Sequence, residues 1–159
     1  MIFSTKFHLT AAFVLFVASF AHAADSEDLG GFMLGSSFEA AQQHALDQDW
    51  QLVPLSEELP GQWTVEGAKL SLFVCNGVVS SVYEKLEGDL EEFAALVFST
   101  QLEFGKPDIQ ILNLHSSTGD ISTIDARFDT DSGGVTVQLQ SIGGGRVFST
   151  NHWIEIECH

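Results

Sequence analysis

Leu70-Ser71-Leu72-Phe73-Val74-Cys75-Asn76-Gly77-Val78-Val79-Ser80-Ser81-Val82-Tyr83 is the stretch that decides how this chain is read. Two runs rich in β-branched and aromatic residues flank Asn76-Gly77, the dipeptide whose tolerance of positive φ suits a tight type I′ hairpin. An antiparallel pair of strands is expected here, with Cys75 at the turn end of the first strand, where the chain's last strand could reach it.

Working outward toward the N-terminus, Gln51-Leu52-Val53 and Gln62-Trp63-Thr64-Val65 are further short β-rich runs, separated by a loop from Pro54 to Gly61. Ahead of them Ser36, three residues before Glu39, has the spacing of a capping box and predicts a helix over Ser37 to Gln48, with Phe38, Ala41, Ala45 and Leu46 as its apolar stripe. Downstream, Asp89 and Glu92 repeat the capping spacing, and Leu90, Phe93, Ala94, Val97, Phe98 and Leu102 read as one apolar helical face. Gly105-Lys106-Pro107 ends that helix.

Four β-rich stretches complete the chain: Ile109 to Leu114, Ile121 to Phe128, Val135 to Ile142, and Val147 to Glu157 with a break near Asn151. Gly119-Asp120, Ser132-Gly133-Gly134 and Gly143-Gly144-Gly145 are their turns. Helix then strands, followed by helix then strands, predicts an α+β domain in which two helices pack on one face of a largely antiparallel sheet. The order is open to being a unit repeated twice, although hairpins alone could produce it.

The N-terminus carries Lys6, an apolar run from Phe7 to Phe20, and then Ala21-His22-Ala23-Ala24, the positive, apolar, small-residue order of a secretory signal peptide. His8, Thr10 and Ser19 interrupt the run, which is short of the roughly 20 apolar residues that a membrane span needs. Residues 1–23 are therefore expected to be cleaved, 24–31 to form a flexible acidic N-terminus, and 32–159 to form a single domain. No cysteine lies near the cleavage region, so neither a lipid anchor nor a membrane span is expected, and the compartment is periplasmic or extracellular.

Cleavage removes Lys6 and none of the 22 acidic residues, leaving five basic residues and a formal charge of −17. Such a field repels nucleic acid and anionic lipid and favours encounter with a basic protein partner or a metal cation. Solubility explains the same charge equally well. In an oxidising compartment Cys75 and Cys158 most simply form one disulfide closing a loop of more than eighty residues, with free thiols, an interchain bond or a thiol site as the competing arrangements.

The candidate sites are each met by a plainer reading. Asp129-Thr130-Asp131-Ser132-Gly133-Gly134 begins like a calcium loop, but Gly133 and Gln140 stand where oxygen ligands are required, so a polar hairpin turn is expected. His44, His115, His152 and His159 show no metal-ligand spacing, and neither a metal nor a cofactor is expected. Ser116 and Ser117 lack a nucleophile elbow. Gly143-Gly144-Gly145-Arg146 is followed by no helix to complete a phosphate loop. Trp50, Trp63 and Trp153 are read as core residues in preference to a stacking platform.

Leu34-Gly35-Ser36-Ser37 running into Glu39-Ala40, with Gly105-Lys106-Pro107 closing the second helix, resembles small exported bacterial α+β binding proteins, such as the β-lactamase inhibitor protein and the small outer-membrane assembly lipoproteins. The likeness covers a helix entry and a helix exit, and the lipoproteins' acylated cysteine is absent. It implies an inhibitor or accessory protein with no chemistry of its own, and it carries over no functional residue. The function expected is therefore that of an exported, soluble, non-catalytic binding module, in its sharper form an inhibitor of a basic exported enzyme. The alternative is a small periplasmic hydrolase using His115 with Asp120 or Asp125.

Overall fold

Asn76 and Gly77 take φ of 52° and 77°, the left-handed pair that a tight hairpin requires. They join β3 (Leu70–Cys75) to β4 (Val78–Leu86), and the pairing slips at a bulge between Phe73 and Val74. The computed structural model describes residues 29–117 and 119–159; the leader read over residues 1–23 and the acidic segment as far as residue 28 lie outside the described residues.

From this hairpin the sheet extends both ways. β1 (Gln51–Pro54) and β2 (Gln62–Glu66) add to the β3 side, while β8 (Gly145–Ile154), β7 (Gly133–Ile142), β6 (Gly119–Thr130) and β5 (Asp108–Ser116) add in that order to the β4 side. All seven pairings are antiparallel, in the order β1-β2-β3-β4-β8-β7-β6-β5. The join between the chain's two halves is β4 against β8, where Ser81 to Leu86 pair with Trp153 to Phe148.

This architecture corrects the expectation of an α+β domain formed by two helices packed on a sheet. Strands take 52% of the described residues and helices 19%, so the described residues form mostly a single eight-stranded antiparallel sheet carrying two short helices. The reason is one of size: helices of 10 and 15 residues, α1 (Phe38–Asp47) and α2 (Leu90–Phe104), are roughly 15 and 22 Å long and can cover only a few strands each. Local strands are what they contact: α1 meets β1 and β4, and α2 meets β6 and β7.

Each helix accordingly has its own apolar cluster. Under α1, Ala41 and Ala45 meet Phe32, Val65, Leu70, Leu72, Val79 and Val82. Under α2, Phe93 meets Ala126, Phe128, Val135, Val137 and Phe148. Val82 pairs with His152 and Leu86 with Phe148, so alternation along β4 and β8 carries both clusters along the same side of the sheet.

Local details differ from the sequence reading in instructive ways. The N-cap of α1 is Ser37, whose hydroxyl accepts from the Ala40 backbone N–H at 3.2 Å, while Ser36 donates its hydroxyl to the Met33 carbonyl. At α2 the capping box forms as read: the Asp89 carboxylate accepts from the Glu91 N–H, and the Asp89 N–H donates to the Glu92 carboxylate. The single apolar face read for α2 is split. Phe93, Leu96 and Val97 face the sheet, but Leu90, Phe98 and Leu102 remain 56%, 63% and 74% exposed. β8 runs through Asn151 without the expected break, because that residue pairs with Tyr83 on one side and Thr136 on the other.

Cys75 and Cys158 are joined by a disulfide across 83 residues, with their Cα atoms 5.4 Å apart. The partner of Cys75 comes from the tail beyond β8 and not from the strand itself. Asn76, the turn residue next to Cys75, holds the same tail, donating from its side chain to the Glu157 carbonyl at 2.8 Å and accepting from the His159 N–H at 3.4 Å. Among the described residues no helix is long and apolar enough to cross a membrane.

Candidate functional site: the bare face of the sheet

Strand alternation that buries Val82, Phe128 and Val137 under the helices turns their neighbours to the opposite side. There Ser71, Tyr83, Asn151, Thr136 and Arg127 form one cross-strand row. Phe73, Ser81, Trp153 and Gly134 form the next. Ser71, Phe73, Ser81, Tyr83, Thr136 and Asn151 of these rows line a trough of about 450 Å³, with Gln138 beside them and Trp63 contributed by β2, while Arg127, Gly134 and Trp153 continue the rows beyond it.

The trough and the part of the face beside it are internally ordered. Ser81 donates its hydroxyl to the Asn151 side-chain oxygen, and Gln138 donates to Asp125 at 2.9 Å. Arg127 donates to Asp129 at 2.7 Å while its guanidinium lies 4.6 Å from the Trp153 ring centroid, a cation–π placement. Gly134 makes room for that indole: a Cβ there would sit 2.9 Å from Trp153 Cζ2 and 2.3 Å from the Phe128 carbonyl oxygen. The result is a held array of aromatic surface and hydrogen-bonding groups, the composition that recognition surfaces favour.

The candidates read from the sequence are dispersed over the fold. His44 lies on α1 with Nε2 2.8 Å from the Gly30 carbonyl oxygen and its ring edge-on to Phe32. His152 is buried beside a cavity of about 320 Å³ between α2 and β8, which Glu84, Thr100 and Thr150 also line. His159 sits in the tail, 3.9 Å from Glu157. Among the described residues these histidines lie on separate elements and share no site.

His115 and Asp120 do meet, as cross-strand partners near the β5–β6 turn, with Nδ1 and Oδ1 2.6 Å apart. Their side chains are 85% and 66% exposed, so the pair is open to water on all but its strand side. Asp125 is five residues beyond Asp120 on β6 and faces the other side of the sheet, bonded to Gln138. Ser116 donates its hydroxyl to the Gly119 carbonyl and acts as a turn residue.

Asp129 to Gly134 form the β6–β7 hairpin, with Asp129 paired to Gly134 and bonded to Arg127. Gly143 and Gly144, at φ of 55° and 88°, form the β7–β8 turn, and a strand follows them. Trp50 and Trp63 pack against the first cluster, with Trp63 4.6 Å from Phe38, whereas Trp153 stands on the bare face.

Asp89, Glu91 and Glu92 form the one group among the described residues with carboxylate oxygens all within 4.8 Å of one another, a spacing open to a cation. The backbone already engages two of them as the α2 cap. The Glu91 N–H bonded to the Asp89 carboxylate holds that group below the usual aspartate range, and the neighbouring Asp89 carboxylate pushes Glu91 above its own.

Compared with models of known protein families, with curated proteins and with solved structures, the chain matches none. Of the residues lining the trough, Trp63 is a candidate in the sequence, as part of a stacking platform set aside in favour of core packing. Tyr83, Arg127 and Asn151 carry no motif, and the available signal was alternation: in Ser80-Ser81-Val82-Tyr83-Glu84 the valine marks the buried face and the serine and tyrosine beside it the other.

Proposed function

We propose that this chain is an exported, non-catalytic binding module whose bare sheet face receives a basic protein, in the sharper form an inhibitor of a basic exported enzyme. The observation that carries this reading is the trough itself, where Phe73 and Tyr83 stand among Ser, Thr, Asn and Gln side chains, with Trp153 in the adjoining row, on the face that neither α1 nor α2 covers. Aromatic groups supply contact area at small entropic cost, and the polar groups supply register. The formal charge of −16 supports a basic partner, because a field of that sign steers such a protein toward encounter. Export is supported by the leader-like N-terminus and agrees with a disulfide, a bond that persists in oxidising compartments.

The test is titration of the disulfide-bonded protein against purified basic hydrolases of the lysozyme type, over a range of salt concentrations and with hydrolase activity read in parallel. Binding that weakens steeply with salt, accompanied by loss of hydrolase activity, is the expected result. Basic hydrolases that remain unbound and fully active at low ionic strength would end the inhibitor reading.

A further inference from the structure

We infer that the outer edge of β5, which no strand among the described residues pairs, is a self-association surface, on which a second copy of this chain pairs its own β5 antiparallel about a two-fold axis and joins the two sheets into one. This surface is distinct from the trough, and the inference stands whether or not a basic partner binds there.

An exposed strand edge offers unpaired N–H and C=O groups, and monomeric proteins blunt such edges with short strands, proline, lysine or bulges. The other edge of this sheet is blunted in that way, since β1 has four residues and ends in Pro54. β5 has nine residues, none of them proline or lysine, and its register with β6 is unbroken from Asp108 to Ser116. Every one of its residues is exposed.

The side chains identify the occupant. Ile109 and Ile111 point to one face of the sheet and Leu112 and Leu114 to the other, at 49%, 76%, 48% and 49% exposure. A helix or a flat surface laid on the sheet would cover one pair and leave the other wet. A strand added in the plane of the sheet reaches both pairs, provided that it also carries apolar residues on both faces. β5 is such a strand.

Charge points the same way. Two copies of a chain carrying −16 repel over most of their surfaces, but between Glu103 and Asp120 the ionised residues are Lys106 and Asp108, which cancel. A two-fold axis normal to the sheet preserves its faces, so mid-strand Ile111 and Leu112 each approach their counterparts on the same side. The pairing uses up β5 and leaves the short, proline-ended β1 at both outer edges, so assembly closes at the dimer.

The experiment is sedimentation velocity on the native, disulfide-bonded chain from about 1 to about 100 µM, together with amide hydrogen exchange at both limits. The expected result is a dimer at the upper limit, with β5 amides exchanging more slowly as concentration rises. Ile111→Lys and Leu112→Lys, which place a charge on either face of the edge, are each expected to weaken the dimer at least about tenfold, a handicap of about 1.4 kcal/mol. A monomer throughout, with exchange at β5 independent of concentration, overturns the inference, as does a dimer that both lysine variants leave intact. If the variants fail to fold, the concentration dependence of β5 exchange in the native chain decides the matter alone.

Discussion

The two faces of this sheet are made by the same strands and have opposite characters. On the covered face Val65, Val79, Val82, Ala126, Phe128 and Val137 are at most 1% exposed and lie under or beside the helices. On the bare face Tyr83, Asn151, Thr136 and Gln138 are only partly buried, and their neighbours are hydrogen-bonding groups and the Arg127–Trp153 stack. Alternation along a strand forces the pairing of these characters, because each residue that deepens the core hands its neighbours to the other side. Stability is expected to reside on one face and recognition on the other.

Substitutions on either face probe that division. The largest effect is expected at Phe128, buried to 1% beneath α2, where Phe128→Ala should cost about 3–5 kcal/mol in urea unfolding. A loss below about 1 kcal/mol would mean that the second cluster is not a packed core. Gly134→Ala comes next and crosses between the faces, since the new methyl group meets the Phe128 backbone carbonyl on one hand and the Trp153 ring on the other. It should cost roughly 1–3 kcal/mol and alter Trp153 fluorescence. Unchanged stability and emission would show that the indole is not seated as described.

Tyr83→Ala should have a smaller effect, lowering stability by less than about 1 kcal/mol, because the half-buried ring borders a trough and not the core. A larger loss would move Tyr83 into the stabilising face. The smallest effect is electrostatic. Asp89 is held below its ordinary value of 3.8 by the Glu91 backbone N–H, so its contribution to α2 is complete above that value and fades as pH falls through the lowered one. Glu91, pushed above its ordinary value of 4.5 by Asp89, works in the opposite sense and gains in relative stability as it protonates. Asp89→Asn keeps a capping side chain without the charge, so its melting temperature should trail that of the wild type at about pH 7, and the gap should narrow as the pH falls below the ordinary aspartate range. A constant gap across that range would remove the charge from the explanation.

How much of this was legible in the sequence depended on how local the physics is. The Asn76-Gly77 hairpin and the Asp89–Glu92 cap depend on neighbours within a few residues and stand as read. The proportions of the fold were not local. Nothing in Ser81 to Leu86 announces that β8, some seventy residues later, will pair with it, and that single pairing merges two sheets into one that short helices cannot cover. The helix α2 shows the same limit, since Phe98 and Leu102 fit an apolar stripe in sequence while the sheet receives only Phe93, Leu96, Val97 and Phe104. The trough was hidden for a related reason: it is assembled from one or two residues of each strand, and its ordinary Ser, Thr, Tyr and Asn residues gain meaning through cross-strand neighbours.

Whether recognition belongs to the bare face is decided by comparing two truncations in one titration against a basic lysozyme-type hydrolase. Tyr83→Ala lies in the trough, and Leu46→Ala removes a side chain 65% exposed on α1, on the covered side. The expected result is a loss of at least about tenfold in affinity for Tyr83→Ala and a change within about twofold for Leu46→Ala. Equal affinities for the two variants, or a loss confined to Leu46→Ala, would contradict the claim.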